Sequence, residues 1–139
     1  ETAADHVEPA ELADRLLVNE PGLVLVDVRM PEEYSSFHIR GAANVSLPEL
    51  SQYLTPYRNS GTIVLYSNGM THPAQARDSL ARQGFINVYF LTDGLQGFME
   101  RCLKPVSLRS QPVLPQGAAK INKWREYFLK GFESGVSTR

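Results

Sequence analysis

The chain has 139 residues, of which 42% are hydrophobic and 21% charged, which suits one well-buried core and is too short for two ordinary domains. Its 14 basic residues balance 15 acidic ones, and the net charge of −1 argues against nucleic acid or an anionic membrane as a general partner. Apolar segments such as GLVLVDV are far shorter than a membrane span, so we expect a soluble protein, and the single cysteine leaves a bacterial-type cytoplasm and the periplasm both open.

The first half of the chain predicts alternating helices and strands. EPAELADRLL carries leucines at helical spacing behind Pro9, which suits an early helical position. A nearly continuous apolar run from Leu23 to Val28 is typical of a strand that is covered on both faces. A short helical turn with Glu32 and Glu33 follows, and then a second short helix in LPELSQYLTPY, which we expect Pro56 to end.

The pattern continues after residue 61. TIVLY is the second strand, and PAQARDSLARQGF is a helix that begins at Pro73 and has Gly84 as its C-terminal cap. INVYFL is the third strand, and TDGLQGFMERCL begins a further helix, which Asp93 is expected to cap. Strands that alternate with helices predict an α/β fold with a parallel sheet flanked by helices on both faces.

The composition changes beyond Pro105. VSLRSQPVLPQG predicts an extended connector, and the next segment places Ile121, Trp124 and Phe128 on one face of an amphipathic helix. We therefore predict a domain over 1–106 and a C-terminal extension over 107–139. The apolar face of the helix has two interpretations: it packs on its own domain, or it docks on a partner.

The stretch TIVLYSNGMTHPAQARDSL places a polar loop, Ser67 to His72, between a predicted strand and a predicted helix. Ligands of open parallel sheets bind at the carboxyl ends of the strands, where this loop begins. The loop also leads into a helix N-terminus, whose free N–H groups favour anions, and Gly69 lets the backbone fold back so that several N–H groups point inward. We therefore predict an anion-binding loop that includes Asn68, Gly69, Met70 and Thr71.

Four blocks of the chain resemble a single rhodanese domain of the sulfurtransferase family. They are VLVDVRMPEEYSSFHIRGAANVSL, TIVLYSNG, SLARQGFINVYFLTDGLQGF and LKPV, in that order. The resemblance implies a rhodanese-like parallel sheet. It also implies a six-residue loop that begins with a nucleophilic cysteine and usually ends with arginine. In that family the cysteine receives a sulfane sulfur as a persulfide and passes it to a thiophilic acceptor.

Both chemically demanding positions of the loop depart from the family pattern. Ser67 stands where the family has its cysteine, and His72 stands where it has its arginine. A serine hydroxyl ionises far less readily than a thiol, whose pKa is about 8.5, and it cannot form a persulfide. Histidine is charged only part of the time near neutral pH and lacks the bidentate fork of arginine. We predict a non-catalytic binding or regulatory module whose partner is a small sulfur-containing anion or another protein.

Three other interpretations stay open from the sequence. The chain could be a thiosulfate or persulfide sulfurtransferase that has a substituted nucleophile or uses Cys102, whose neighbours Arg101 and Lys104 favour a thiolate. Ser67 and His72 could act as nucleophile and base in hydrolysis, although no carboxylate is placed to orient the histidine. The serine could also have been introduced deliberately in place of a reactive cysteine.

The remaining polar residues of interest are predicted to be structural. Asp27 and Arg29 follow a buried strand, where charges are normally paired, and they match the structural Asp and Arg of the family's DVR block. His38 fits a hydrogen-bonded structural histidine better than a catalytic base. The three histidines are scattered and there is no second cysteine, so we predict no metal and no cofactor.

Overall fold

The structure is a computed structural model that describes residues 6–69 and 71–137, with the side chains of 71–72 and 131–137 outside the description. The strands are β1 (His6–Val7), β2 (Leu23–Asp27), β3 (Ala43–Asn44), β4 (Thr62–Tyr66) and β5 (Val88–Leu91). The helices are α1 (Pro9–Leu17), α2 (Pro31–Ser36), α3 (Leu50–Leu54), α4 (Thr71–Arg82), α5 (Gly94–Phe98) and α6 (Pro115–Ser137). A π-helical turn, Met99–Leu103, extends α5, and short 3₁₀ turns cover Leu47–Glu49, Thr55–Tyr57 and Val106–Leu108.

The strands form one parallel sheet in the order β1-β5-β4-β2-β3. The central strand β4 pairs along its whole length with β2, from Leu23 opposite Thr62 to Asp27 opposite Tyr66. Successive β4 residues are buried on opposite faces, so that Val64 enters one core and Leu65 the other. The predicted parallel sheet with helices on both faces is confirmed.

The two cores lie on opposite faces of the sheet. One contains buried residues of α1, α5 and α6, and the other contains buried residues of α3 and α4. The carboxyl ends of β2 and β4 meet at one edge of the sheet, where Asp27 lies opposite Tyr66 in the strand register. The loops that follow these strands therefore share the same edge.

The helix α6 packs on the rest of the chain through its apolar face. Ile121, Trp124 and Phe128 are all buried in the first core, and the ring of Phe128 meets Phe98 edge-on at a centroid distance of 5.1 Å. The Trp124 indole Nε1 donates a hydrogen bond to Asp14 Oδ1 over 3.0 Å. This face is thus an internal packing surface. Neither α6 nor any other helix in the described part of the chain is long and apolar enough to cross a membrane.

Two predicted helix boundaries and one predicted side-chain cap are wrong. The helix α4 begins at Thr71 and not at Pro73, because a proline in the first turn removes an N–H that has no helical acceptor in any case. Pro56 lies inside the 3₁₀ turn that follows α3 and does not end a helix, since α3 already ends at Leu54. Asp93 precedes α5 with φ of 60°, and its side chain forms no capping hydrogen bond. Its left-handed backbone, and not its carboxylate, makes the turn.

Candidate functional site

The loop after β4 begins at the carboxyl edge of the sheet, as predicted. The side chain of Ser67 is partly buried, and its carbonyl oxygen accepts a hydrogen bond of 2.8 Å from the N–H of Leu95. Helix α4 begins only four positions later in the chain, at Thr71, so the non-helical loop is shorter than predicted. Met70 and the side chains of Thr71 and His72 lie outside the described residues, and their predicted anion-binding roles stay predictions.

The second residue of the loop, Asn68, is tied to α2. Its Nδ2 donates a hydrogen bond to Glu33 Oε2 over 2.9 Å, and its Oδ1 lies 3.4 Å from Arg29 Nη1. Glu33 Oε1 accepts in turn from the N–H of Met30 at 3.2 Å. The hydrogen bond from Asn68, followed by that from Met30, holds the pKa of the Glu33 carboxyl below its ordinary value of 4.5. The loop is therefore hydrogen-bonded to a carboxylate that stays ionised at neutral pH.

A buried ion pair between Arg29 and Asp27 lies next to the loop. Arg29 Nη2 donates to Asp27 Oδ2 over 2.8 Å, and Nε lies 3.0 Å from Asp27 Oδ1. The Asp27 side chain is fully buried, and Arg29 also donates to the carbonyl of Phe37 at 2.5 Å. The predicted pairing of Asp27 with Arg29 is thus present. Because Asp27 neutralises the guanidinium, Arg29 offers little net charge to an anionic ligand.

His38 has structural contacts. Its Nδ1 lies 2.9 Å from the carbonyl oxygen of Tyr34, and the two rings stack with centroids 3.7 Å apart. The Tyr34 hydroxyl donates in turn to the carbonyl of Ala42 at 2.5 Å. Through these contacts His38 stabilises the segment that follows α2.

The glycine that packs closely against the loop is Gly94, and the prediction that Gly69 lets several N–H groups point inward stays a prediction. Gly69 does not have the left-handed backbone of a reversal, and a Cβ added there would meet nothing within 4 Å. Gly94 has φ of +61°, and a Cβ on it would lie 2.5 Å from the Asn68 carbonyl oxygen and 2.6 Å from that of Gly69. The loop therefore lies against the start of α5 so closely that only glycine fits.

Three cavities in the described part of the chain border the loop. One, of about 470 Å³, lies on the side of Asp93 and Gly97, and the other two adjoin each other at Phe37. The larger, of about 660 Å³, is lined by Phe37, Asn68, Leu95, Gln96, Met99, Glu100, Leu103, Lys104, Pro105, Arg125 and Leu129. The smaller, of about 440 Å³, is lined by Arg29, Glu32, Glu33, Ser36, Phe37, Asn68, Leu95 and Met99. Both share Phe37, Asn68, Leu95 and Met99, so they form one continuous depression beside Asn68 of the loop. Its floor is mainly apolar. On its α2 side the carboxylates of Glu32 and Glu33 outnumber the single guanidinium of Arg29.

Cys102 is enclosed in the first core and is absent from the lining of both cavities. Burial raises the pKa of its thiol to about 12, although the charges of Arg101 and Arg109 act in the opposite direction. The expectation that basic neighbours favour its thiolate is wrong, because loss of hydration outweighs their attraction. In the described part of the chain no group of three or more potential ligands is placed to hold a metal ion.

Several residues beside the loop were not identified from the sequence as belonging to a site. Glu33 was assigned only to a helical turn, and Arg125 and Leu129 come from α6, which is distant in the chain. Acidic residues at the first turn of α2 were the only sequence signal for the hydrogen bond to Asn68. No local pattern could have revealed the contribution of α6, because it depends on how that helix packs.

Comparisons with known proteins agree on one domain type. A family model described as Rhodanese-like domain matches residues 8–101. Thiosulfate sulfurtransferase PspE of Escherichia coli (strain K12) is 33% identical over 66 residues, which cover 45% of this chain and 62% of that protein. Centrosomal protein of 41 kDa from Bos taurus is 31% identical over 142 residues, covering 77% of this chain and 38% of that protein. The chain thus spans little more than a third of that relative.

Solved structures show the same fold. The Alr3790 protein from Anabaena sp. superimposes with a TM-score of 0.63 at 23% identity, covering 87% of this chain and 93% of that one. A rhodanese-related protein from Thermoplasma volcanium gives a TM-score of 0.59 at 20% identity, covering 69% of this chain and 91% of that one. The likeness to the Anabaena structure extends beyond the residues matched by the family model.

Proposed function

The chain belongs to the rhodanese-like domain family, and from this premise we propose that it is a non-catalytic binding or regulatory module. The observation that carries the proposal is Ser67 at the position of the family's persulfide cysteine. Sulfur transfer needs a soft thiolate that can hold a sulfane sulfur, and a serine hydroxyl supplies neither the anion nor the sulfur–sulfur bond. The loop lies at the carboxyl edge of the sheet but lacks the cysteine sulfur that would react there.

The lone cysteine does not replace the missing nucleophile. Cys102 is fully buried, and its raised pKa keeps it protonated at neutral pH. An attacking thiol needs both access and thiolate character, and Cys102 has neither. This supports the non-catalytic reading over a sulfurtransferase that works through Cys102.

The charges around the loop favour a protein partner over a small sulfur-containing anion. Arg29 is already paired with Asp27, and Lys104 lies 3.1 Å from Glu100. Glu32 and Glu33 line the smaller cavity, so an anion entering from the α2 side would meet carboxylates. A polypeptide can instead use the apolar floor.

A transfer assay from thiosulfate to cyanide tests the proposal. The chain and its Cys102→Ala variant are both expected to show no turnover above the uncatalysed background. Turnover that disappears in Cys102→Ala would assign sulfur carriage to that thiol, and turnover that survives would require a nucleophile without sulfur. Either result would overturn the proposed function.

A further inference from the structure

We propose that the depression beside the loop is a docking groove for an extended polypeptide segment that carries two large apolar side chains and a basic residue. The loop groove is defined here by its apolar floor, formed by Phe37, Leu95, Met99, Leu103 and Leu129, and by the carboxylates at its α2 side. The inference rests on the proposed function, since it names the chemistry of the partner that the module would bind.

The size and continuity of the loop groove fit side chains of a peptide. The larger cavity, of about 660 Å³, lies within the range of about 300–1,000 Å³ that is usual for ligand pockets. The smaller one, of about 440 Å³, continues it past Phe37 toward α2. Met99 lies where the two meet and has 44% of its surface exposed, so a ligand in either cavity can contact it. Two adjoining apolar subsites therefore suit two anchoring side chains at alternate positions of an extended segment, because successive side chains of such a segment point to opposite faces.

The walls of the loop groove are held by hydrogen bonds. The N–H of Leu95 is bonded to the Ser67 carbonyl, and Arg125 of α6 donates to the carbonyl of Leu103. On the opposite wall, Arg29 fixes the carbonyl of Phe37. A preformed groove lowers the ordering cost of binding, because the protein side is already in place.

The outer wall of the larger cavity comes from residues beyond the family match. Leu103, Lys104 and Pro105 follow residue 101, and Arg125 and Leu129 belong to α6. Met99 and Leu103 also begin and end the π-helical turn, a distortion that is frequent at functional sites because it redirects side chains. The part of the wall that α6 supplies therefore lies outside the residues that the family model matches.

Charge selects the chemistry of the occupant. Glu32 is exposed at the α2 end and forms no ion pair with another described residue. Glu33 is hydrogen-bonded by Asn68 but keeps its negative charge. A lysine or arginine of a bound segment would lie among these carboxylates, whereas an acidic segment would be repelled. The α2 end of the loop groove therefore selects a basic residue. In the larger cavity Lys104 is paired with Glu100 and Arg125 donates to the Leu103 carbonyl, so the apolar floor selects apolar side chains there.

Selection from a displayed library of random linear peptides on the full chain tests the inference. The enriched peptides are expected to combine two large apolar residues with lysine or arginine. Fluorescence anisotropy of the most enriched peptide should show at least tenfold weaker binding to Met99→Glu and to Glu32→Lys. Ile86→Glu is the matched control, because Ile86 is 81% exposed and does not line the groove, and it should bind unchanged. Thermal unfolding of each variant would verify that these exposed positions leave the fold intact.

Failure to enrich any peptide above the bare support would overturn the proposed binding of peptides in the groove. Enriched peptides that are acidic, or that bind Met99→Glu as well as the parent chain, would overturn it too. These outcomes are separate from the transfer assay: a chain without sulfur transfer that binds no peptide refutes only the groove. A chain that transfers sulfur refutes the proposed function, whichever peptides it binds.

Discussion

Ser67 lies where a helix N-terminus would favour a thiolate, whereas Cys102 lies where burial disfavours one. Ser67 is partly buried at the carboxyl edge of the sheet, shortly before the N-terminus of α4, where a helix dipole stabilises negative charge. Cys102 is in the core, where burial raises the pKa of its thiol to about 12. The serine is therefore at the position where the rhodanese resemblance implies a reactive cysteine, and the cysteine that the chain does have is enclosed.

A cysteine placed at position 67 should react faster with iodoacetamide than Cys102 does. We expect Ser67→Cys in the Cys102→Ala background to alkylate at least tenfold faster at pH 8 than Cys102 in the parent chain. The neutral thiol of Cys102 is favoured by folding below its ordinary pKa of 9.0, and this preference is lost only as pH rises through the folded value. Intact-mass kinetics measure both rates, and equal rates would show that the position after β4 does not activate a thiol.

Glu33→Ala should loosen the loop, because it removes the acceptor of the Asn68 amide. Amide exchange at Asn68 and Gly69 is expected to become faster in this variant, by about tenfold, the loss of roughly one hydrogen bond. Glu32→Ala is the matched control, because no described hydrogen bond uses Glu32. Exchange measured by NMR that is the same in both variants would contradict the role of this contact.

The same contact gives the loop a pH dependence. The folded pKa of Glu33 is lowered, so its hydrogen bond is fully present above the ordinary carboxyl pKa of 4.5 and is lost as pH falls through the folded value. The Asn68 side-chain NH₂ resonances should therefore change only in acid, below pH 4.5. A transition of those resonances near neutral pH would assign the titration to another group.

At the scale of elements, the sequence predicts the helices and strands well and their ends less well. Continuous apolar runs and helical leucine spacing were sufficient for β2, β4 and α1, because burial alone creates those patterns. The ends at Pro56 and Pro73 were misplaced, since a proline near the start of a helix or turn costs little. The close approach of Gly94 to the loop is absent from the predictions because it is a tertiary contact, which no local pattern encodes.

The substitution Gly94→Ala should displace the loop and destabilise the fold. A methyl group at this position would meet the Asn68 and Gly69 carbonyls and would also have to accept a left-handed backbone. Together these effects should lower the free energy of unfolding by about 1–3 kcal/mol. Gly69→Ala is the control, because its added methyl has open space. Chemical denaturation of the two variants checks the difference, and equal stabilities would refute the close packing of loop and α5.

Trp124→Ala should cost about 3–5 kcal/mol of stability, the usual loss for a fully buried aromatic side chain. The substitution also leaves Asp14 without its indole donor. Lys123→Ala, on the exposed side of α6, should change the free energy of unfolding by less than about 0.5 kcal/mol. We further propose that residues 1–106 alone are poorly stable, because the first core would lose α6. A Trp124→Ala variant as stable as Lys123→Ala would show that α6 is not part of the core.

At the scale of the whole molecule, the fold was accessible from the sequence and the loop groove was not. Four sequence blocks and alternating strands and helices predicted a rhodanese-like parallel sheet, and the family match and sheet order confirm it. The serine at position 67, where the rhodanese resemblance implies a cysteine, could also be read directly from the sequence. The loop groove could not, because it joins α2, the loop, α5 and α6, which are separated in the chain and meet only through packing.

Persulfide formation is the most direct test of the central claim that this chain lacks sulfur-carrying chemistry. The chain, its Cys102→Ala variant and Ser67→Cys with Cys102→Ala would each be incubated with thiosulfate, and their intact masses would be compared before and after reduction. We predict that only the variant with cysteine at position 67 gains the mass of one sulfur atom and that reduction removes it. A reducible gain of one sulfur atom on the unsubstituted chain would contradict the account.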